Sequence, residues 1–186
     1  MLMRGNRTTK VNSDHFRAFR SENCPPLAEA GISIKYNQSI IRKPENWDCK
    51  PTFHTNLDTR VSILKIHPGI TAEVVEHILC STESRAVIIE TYGAGNAPSK
   101  EWFISLINKA SRMGKIVLNI TQCLAGSVNM SIYATGKCLQ DAGVCNGYDC
   151  TTESALAKLF YLMGISVKNE EVKEMLEMDL RGEMSK

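Results

Sequence analysis

Ala86-Val-Ile-Ile-Glu90 and Ile116-Val-Leu-Asn-Ile120 decide the fold of this 186-residue chain. Both are short apolar runs rich in β-branched residues, as strands buried on both faces usually are. The segment between them is predicted to be a helix, capped by Ser99 and ended by Gly114. Its apolar residues recur at helical spacing: Trp102, Phe103, Leu106, Ile107 and Ala110. A strand, a helix and another strand in succession predict a parallel pair.

The same alternation continues on both sides of this unit. Val61–Ile66 is predicted to be a strand, and Thr71 can cap a helix that carries apolar residues through Leu79. Further helices are predicted near residues 133–142, over 153–163 and over 169–178, with Asp149 interpreted as a cap. The pattern predicts an α/β fold, a small three-layer α/β/α domain with a parallel sheet centred on residues 60–165.

Residues 1–59 have a different character, because they are polar, irregular and interrupted by turn-forming residues. Only Ile32–Tyr36 alternates as a strand does. Such a segment cannot bury a core by itself, so we interpret it as the tail of a preceding domain followed by a linker. We expect it to be mobile or misdocked without its packing partner.

Composition excludes several classes of function. A net charge of +2 gives no basis for binding nucleic acid or an anionic membrane. No apolar run reaches the roughly 18 residues of a membrane span, and no secretory signal is recognisable. The seven cysteines are irregularly spaced, and the histidines do not cluster with them. We therefore expect reduced thiols in the cytosol and no metal site.

Two loops lie where an open parallel sheet binds ligands, at the carboxyl ends of strands. One is Thr91–Pro98, whose glycines allow close approach of the backbone and whose Asn96 offers both a donor and an acceptor. The other is Thr121–Gly126. Both could equally be ordinary strand-to-helix turns. A dinucleotide fingerprint fails, because the third glycine would fall at Pro98.

Lys10 has two interpretations. It could be a solvated surface charge, or it could be partly buried and accept the proton of a threonine nucleophile. Glu153 is expected to interact favourably with the positive, amino-terminal end of its helix dipole. It lies five residues before Lys158, and this spacing does not place the two side chains on one helix face. The residues alone do not decide the role of Lys10.

Several motifs in order resemble those of the type I, or cytoplasmic-type, L-asparaginases. The resemblance covers nearly the whole chain and includes the asparaginase region of animal ankyrin-containing lysophospholipase proteins. The principal segments are Arg4-Gly-Asn-Arg-Thr-Thr-Lys10, His67-Pro-Gly-Ile70, Tyr92-Gly-Ala-Gly-Asn-Ala-Pro98, Asn119-Ile-Thr-Gln-Cys123, Tyr133-Ala-Thr-Gly136, Asp149-Cys-Thr-Thr152 and Asp179-Leu-Arg-Gly-Glu-Met184.

The resemblance implies a domain organisation and an activity. Residues 1–38 would be the end of the amino-terminal domain, 39–59 the linker and 60–186 the carboxy-terminal domain. The family hydrolyses L-asparagine to L-aspartate and ammonia without a cofactor, in the cytoplasm. Its active form is an oligomer, so like subunits in a homodimer or homotetramer are the expected partners.

The resemblance also assigns roles to individual residues. Lys10 corresponds to the lysine that assists proton transfer, and Asn96 to the asparagine that contacts substrate in an adjacent subunit's active site. Thr121 and Cys123 match the neighbourhood of a regulatory asparagine site. A family arginine there falls at Glu90, whose charge would repel a carboxylate, so we expect that regulation to be lost.

In the family, the nucleophilic threonine and a Thr-Asp pair precede the segment that matches residues 4–10. We therefore expect the 186-residue chain alone to be inactive. The alternatives are a non-catalytic module that pairs with a full-length subunit and, with less support, an amidotransferase subunit for tRNA-dependent amidation. The tRNA-binding alternative lacks the basic patch that such contact needs.

Overall fold

The computed structural model describes residues 1–43, 48, 50–132, 134–166 and 168–185. A four-stranded parallel sheet lies at its centre. The strands are β5 (Val61–Lys65), β6 (Ala86–Thr91), β7 (Ile116–Thr121) and β8 (Cys145–Asn146), and they are adjacent in that order. All residues of β6 and β7 are buried. The predicted α/β class and parallel sheet are therefore confirmed.

Three helices cover one face of the sheet: α1 (Ala72–Leu79), α2 (Glu101–Arg112) and α3 (Ala134–Asp141). Their apolar residues form one core with alternate strand residues such as Val87, Ile89 and Val117. Thr71 caps α1 as predicted, by accepting a hydrogen bond from the backbone of Val74. The cap predicted for α2 was wrong: the residue before that helix is Lys100, and its side chain makes no capping bond. Tyr133, in the predicted third helix, lies outside the described residues.

Two helices, α4 (Thr152–Ile165) and α5 (Asn169–Leu176), cover the opposite face. They pack on the other set of strand residues, including Ile88, Leu118 and Ile120. Each strand thus sends alternate side chains into two cores, which gives the predicted three layers.

A buried ion pair lies beside the α4–α5 layer. Lys158 Nζ is 2.8 Å from Glu183 Oε1, and both side chains are at most 5% exposed. Lys158 also donates to the carbonyl oxygens of Leu176 and Met178, at 2.8 and 2.5 Å. Lys158 therefore lies in the protein interior, and its partner comes from the segment that follows α5.

Residues 1–43 form two small antiparallel ribbons. The first joins β1 (Thr9–Lys10) to β2 (Phe19–Arg20), and the second joins β3 (Ala28–Ala30) to β4 (Ile34–Tyr36). A short 3-10 helix, Gly5–Arg7, precedes them. The strand predicted around Ile32–Tyr36 is present in shortened form.

The amino-terminal ribbons are tied to the rest of the molecule by long-range hydrogen bonds. Asn6 Nδ2 donates to Arg181 O at 3.0 Å, and Arg4 Nη1 donates to Gly182 O at 3.2 Å. Asn23 exchanges two bonds with the backbone of Gly126, at 2.9 and 2.8 Å. Polar side chains thus attach the segment to the sheet domain, and its expected mobility stays a prediction that hydrogen exchange tests.

The six cysteines that the structure describes are free. Among the described helices, none combines the length and apolar character needed to cross a membrane.

Gly164 allows the backbone of Asn56 and Leu57 to lie against α4. A β-carbon at position 164 would collide with the carbonyl oxygen of Asn56 and lie 2.9 Å from Leu57 Cα. Because both obstacles are backbone atoms, we expect Gly164→Ala to lower the free energy of unfolding by about 1–3 kcal/mol. In an open helix the same change would raise it by up to about 1 kcal/mol.

Urea unfolding followed by circular dichroism measures this effect. Ser105→Ala, on the exposed face of α2, is the matched control, and we expect it to change stability by less than about 0.5 kcal/mol. A Gly164→Ala variant that is more stable than the wild type would contradict the proposed contact.

Candidate functional site

The carboxyl ends of β5, β6 and β7 meet at one edge of the sheet. Gln122, directly after β7, fastens this edge, because its Nε2 donates to Ile66 O at 2.6 Å and to Glu90 O at 2.8 Å. One amide group thereby connects the ends of three strands. The edge is the place where the sequence predicted a ligand site.

The glycine-rich loop after β6 is held closed by its backbone. The amides of Gly95 and Asn96 both donate to Tyr92 O, at 3.0 and 2.8 Å, and Tyr92 N donates to Asn96 O at 2.9 Å. Gly95 has a φ of +107°, and a β-carbon there would lie 2.8 Å from Val128 Cγ1. Only glycine satisfies both the backbone conformation and the close approach.

Asn96 is half-buried at the end of this closed loop. Its Oδ1 accepts a hydrogen bond from Thr135 Oγ1 at 3.3 Å. This bond leaves the amide NH₂ donor of Asn96 available for another partner. The loop therefore presents Asn96 in a fixed position on the side of α3.

Thr121 and Cys123 adjoin the same loop from β7. Thr121 Oγ1 donates to Gly93 O at 2.6 Å and accepts from Cys123 N at 3.0 Å. Thr121 is buried, whereas Cys123 is exposed. The hydroxyl of Thr121 thus forms hydrogen bonds with the backbone of both loops.

A cavity of about 190 Å³ opens at this edge of the sheet. Its walls come from the strand ends, from the start of α4 and from the amino-terminal ribbons. The residues that matter for its chemistry are Thr9, Lys65, Glu90, Thr121, Cys123, Cys150, Thr152 and Glu153. Among the described residues that line it, neither Lys10 nor Asn96 appears. Of the predicted site residues, Thr121 and Cys123 line this cavity together.

Glu90 is nearly buried in the wall of this cavity, and its carboxylate has partners. Thr152 Oγ1 donates to Glu90 Oε1 at 2.7 Å, and Lys65 Nζ lies 3.4 Å from Oε2. From the sequence, position 90 was expected to carry a negative charge that would repel a carboxylate. The structure adds a neighbouring cation, so the charge that a ligand would meet is reduced.

Cys150 is unsuited to be a nucleophile. Burial is the main cause that raises the pKa of its thiol, to about 12, and the nearby Glu183 and Asp149 add to it. At neutral pH the sulfur therefore remains protonated, and a thiol is a poor nucleophile.

A buried ion pair joins the amino-terminal segment to this edge. The Arg7 guanidinium binds Asp149 with two hydrogen bonds, of 2.8 Å to Oδ1 and 2.5 Å to Oδ2. Arg7 is 4% exposed and Asp149 8% exposed. Burial lowers the pKa of Arg7, but the Asp149 carboxylate outweighs that effect and raises it above its ordinary value. Because its geometry is bidentate, this ion pair is the strongest single link between the amino-terminal segment and the edge of the sheet.

The prediction that Asp149 caps a helix was wrong. Thr151 is the cap of α4, since its side chain accepts a hydrogen bond from Ser154 N at 3.2 Å. Asp149 instead accepts from Arg7 and, at 2.7 Å, from Ser185 N. Nothing in the sequence signals this pairing, because Arg7 and Asp149 are 142 positions apart.

Lys10 lies at the end of the segment that this ion pair anchors. It is exposed, and its backbone pairs with Phe19 in the first ribbon. Its neighbour Thr9 donates to Glu153 Oε2 at 3.0 Å and lines the cavity. Of the two interpretations of Lys10, the described residues show the solvated position and not the buried one.

Two family models match the chain in succession. The asparaginase amino-terminal model matches residues 1–42, and the glutaminase/asparaginase carboxy-terminal domain model matches residues 60–176. The second match alone covers more than half of the chain.

The chain belongs to the asparaginase family. It is 40% identical over 184 residues to L-asparaginase 1 of Escherichia coli K12, covering 99% of this chain and 54% of that protein. It is also 40% identical over 190 residues to the 60 kDa lysophospholipase of Mus musculus, covering 99% of this chain and 32% of that protein.

A solved structure also resembles this asparaginase-family chain. L-asparaginase I from Vibrio cholerae superposes with a TM-score of 0.90 at 44% identity, covering 98% of this chain and 55% of that one. The chain thus spans about half the length of the bacterial asparaginases that it matches.

Proposed function

We propose that this chain is the carboxy-terminal part of an L-asparaginase, which hydrolyses L-asparagine to L-aspartate and ammonia without a cofactor. The proposal rests on the 40% identity to L-asparaginase 1 along 99% of the chain. The boundaries that we propose are residues 1–38 for the end of the amino-terminal domain, 39–59 for the linker and 60–186 for the carboxy-terminal domain. The matched ranges 1–42 and 60–176 support them.

The proposed role of Lys10 is to assist proton transfer to and from a threonine nucleophile supplied by the preceding part of the domain. Lys10 is exposed in the 186-residue chain, so this role requires that the preceding part of the domain covers it. Desolvation lowers the pKa of a lysine toward neutral pH. The Arg7–Asp149 ion pair fixes the segment that carries Lys10 to the sheet edge. Lys10 would thereby be held in a defined place for its partner threonine.

Asn96 is proposed to contact substrate in the active site of an adjacent subunit. Its closed loop and its available amide donor suit that role. The active form would then be a homodimer or homotetramer. Thr121 and Cys123, on the separate cavity, are the proposed regulatory residues.

The 186-residue polypeptide by itself is expected to release no ammonia from L-asparagine, since none of its threonines occupies the nucleophile's position in the proposed mechanism. A chimera in which the amino-terminal part of E. coli L-asparaginase 1 precedes residues 1–186 is expected to be active. Lys10→Ala in that chimera should lower kcat by about 100-fold or more, the usual size of a proton-transfer contribution.

Ammonia release measured by a coupled assay tests these expectations. Lys43→Ala, which removes another exposed lysine of the amino-terminal region, is the control and should leave kcat within about twofold. Ammonia release by residues 1–186 alone, abolished by Lys10→Ala, would overturn the assignment of the nucleophile to another segment. That result would favour an enzyme that is active by itself over both alternatives, the carboxy-terminal part of an enzyme and a non-catalytic module.

A further inference from the structure

Three successive polar side chains, Thr8, Thr9 and Lys10, differ in what they bind. Thr8 turns back on its own segment, because its Oγ1 donates to the backbone carbonyl four residues earlier, at 2.7 Å. Thr9 reaches α4 instead, where its Oγ1 donates to Glu153 Oε2 at 3.0 Å. For the Lys10 ammonium, the described residues include no hydrogen-bond or ion-pair partner. The two threonines are therefore fixed by the protein, and the lysine side chain is left to bind elsewhere.

The bond from Thr9 to Glu153 also determines the direction of Lys10. Thr9 and Lys10 are neighbours in β1, and neighbouring residues of a strand point to opposite faces. Because the side chain of Thr9 is bound to α4, that of Lys10 points away from α4. A shift of one residue along the strand would exchange the two faces and turn Lys10 toward the helix. The Thr9–Glu153 bond opposes such a shift.

Glu153 is a fixed point of attachment because it lies in the first turn of α4. The Thr151 hydroxyl caps this turn by accepting from Ser154 N at 3.2 Å. The next residue, Thr152, donates to Glu90 Oε1 of β6 at 2.7 Å, which binds the start of the helix to the sheet. Ser154 is buried. A side chain carried by a capped and anchored helix start holds its partner more precisely than a loop residue does.

We propose that Glu153 is a positioning residue for amide hydrolysis, and that it acts through Thr9 to hold Lys10 in the direction that proton transfer requires. The inference rests on the proposed function, because it presupposes the role of Lys10. A hydroxyl bound to a carboxylate forms a stronger hydrogen bond than two neutral groups do, which suits an acceptor that must fix a strand. A catalytic group that is displaced reacts more slowly even when its own chemistry is unchanged.

The position of Glu153 also fits a simpler role, which the experiment must separate from positioning. A carboxylate in the first turn of a helix interacts favourably with the helix dipole, whatever Thr9 does. The dipole requires a negative charge, whereas the hydroxyl of Thr9 requires only an oxygen that accepts a hydrogen bond. Glu153→Gln removes the charge and keeps an acceptor oxygen, and Glu153→Ala removes both. The two variants therefore give different results under the two roles.

Hydrogen exchange followed by NMR tests the attachment in the 186-residue chain itself. The reporter is the amide of Val11, next to Lys10, which donates to Ala18 O at 2.7 Å and closes the first ribbon. Glu153→Ala should speed its exchange by about threefold or more, and Glu153→Gln should leave it within about twofold of the wild type. Glu170→Ala, which removes an exposed first-turn carboxylate from α5, is the matched control and should also leave it within about twofold.

Kinetics of the chimera with the amino-terminal part of E. coli L-asparaginase 1 test the consequence for catalysis. Glu153→Ala should lower kcat by about tenfold and leave KM within about twofold, because proton transfer is affected and substrate binding is not. Glu153→Gln should retain kcat within about twofold. Thr9→Val removes the donor and should reproduce the loss, and the double variant should be no slower than either single one, since all three break the same bond.

The outcomes separate this inference from the proposed function. A chimera that releases no ammonia counts against the activity, whereas faster exchange in Glu153→Ala and not in Glu153→Gln still supports the attachment of the Lys10 segment by Glu153. Equal effects of the two Glu153 variants would assign that residue to the helix dipole and overturn the inference. Unchanged exchange in Glu153→Ala, or an unchanged kcat in an active chimera, would overturn it as well.

Discussion

Arg7→Ala is expected to lower the free energy of unfolding by about 3–5 kcal/mol, the usual cost of removing one partner from a buried ion pair. Asp149 would remain buried with a negative charge and only the backbone amide of Ser185 as a donor. The bonds from Arg7 to Asn23 O and Ser185 Oγ would be lost as well. Urea unfolding at neutral pH, followed by circular dichroism, measures the change.

Arg20→Ala is the matched control for this experiment. Arg20 belongs to the same segment and pairs with Glu22, but both side chains are exposed, so the expected loss is below about 1 kcal/mol. The double variant Arg7→Met with Asp149→Leu should recover most of the lost stability, because no unpaired buried charge remains. Equal losses in Arg7→Ala and Arg20→Ala would show that the pair at Asp149 is not buried in solution.

Lys158→Met is expected to be destabilising by a similar amount, about 3–5 kcal/mol. Methionine retains much of the length of the lysine stem but leaves Glu183 buried without its cation. The carboxylate would keep backbone donors, among them those of Leu180 and Arg181 at 3.1 and 2.6 Å, but no cation among the described residues that pair with it. Lys168→Met removes the cation of an exposed pair with Glu171 and should cost less than about 1 kcal/mol.

The pH dependence of stability provides a second measurement of the Lys158–Glu183 pair. Burial alone would raise the pKa of Glu183, but hydrogen bonds from Lys158 and from the Leu180 and Arg181 amides outweigh it and lower the pKa to about 2. A carboxyl group with a lowered folded-state pKa stabilises the protein above its unfolded pKa, near 4.5. That contribution is lost as the pH falls toward 2.

Comparison of the wild type with Glu183→Gln isolates this contribution. The difference in their free energies of unfolding should be largest and constant above about pH 5 and should shrink steadily at lower pH. Urea titrations at several pH values provide the test. A difference that grows on acidification would mean that Glu183 is protonated in the folded protein.

The central sheet was predictable because its strands carry their own signal. Val87, Ile89 and Val117 alternate with Ile88 and Leu118, so both faces of β6 and β7 are apolar and the runs stand out in the sequence. The short strands were not predictable. β8 has two residues, and β1 to β3 have two or three, which is too few for any periodicity. Pairing with distant segments, not local preference, makes them strands.

The site was predictable to a smaller extent. Strand order predicted a loop over residues 121–126 at a strand end, and the resemblance singled out Thr121 and Cys123 within it. Both residues line one cavity, and their regulatory role stays a prediction. The roles proposed for Lys10 and Asn96 involve a further segment and a second subunit, and they stay predictions. The buried pairs Arg7–Asp149 and Lys158–Glu183 escaped notice because a charged residue shows its partner only in three dimensions. The spacing of Lys158 from Glu153 predicted only that these two side chains do not share a helix face.

The long-range attachment of the amino-terminal ribbons has a consequence for synthesis on the ribosome. Arg4, Asn6 and Arg7 bind groups of Gly182, Arg181 and Ser185, which are translated 175 or more residues later. At bacterial or eukaryotic elongation rates that delay is roughly 10–35 s. The partners of Asn23 and Arg7, at Gly126 and Asp149, are translated earlier, so this attachment is completed in stages. The contacts of the amino-terminal segment with residues 181–185 are therefore the last of these attachments to form.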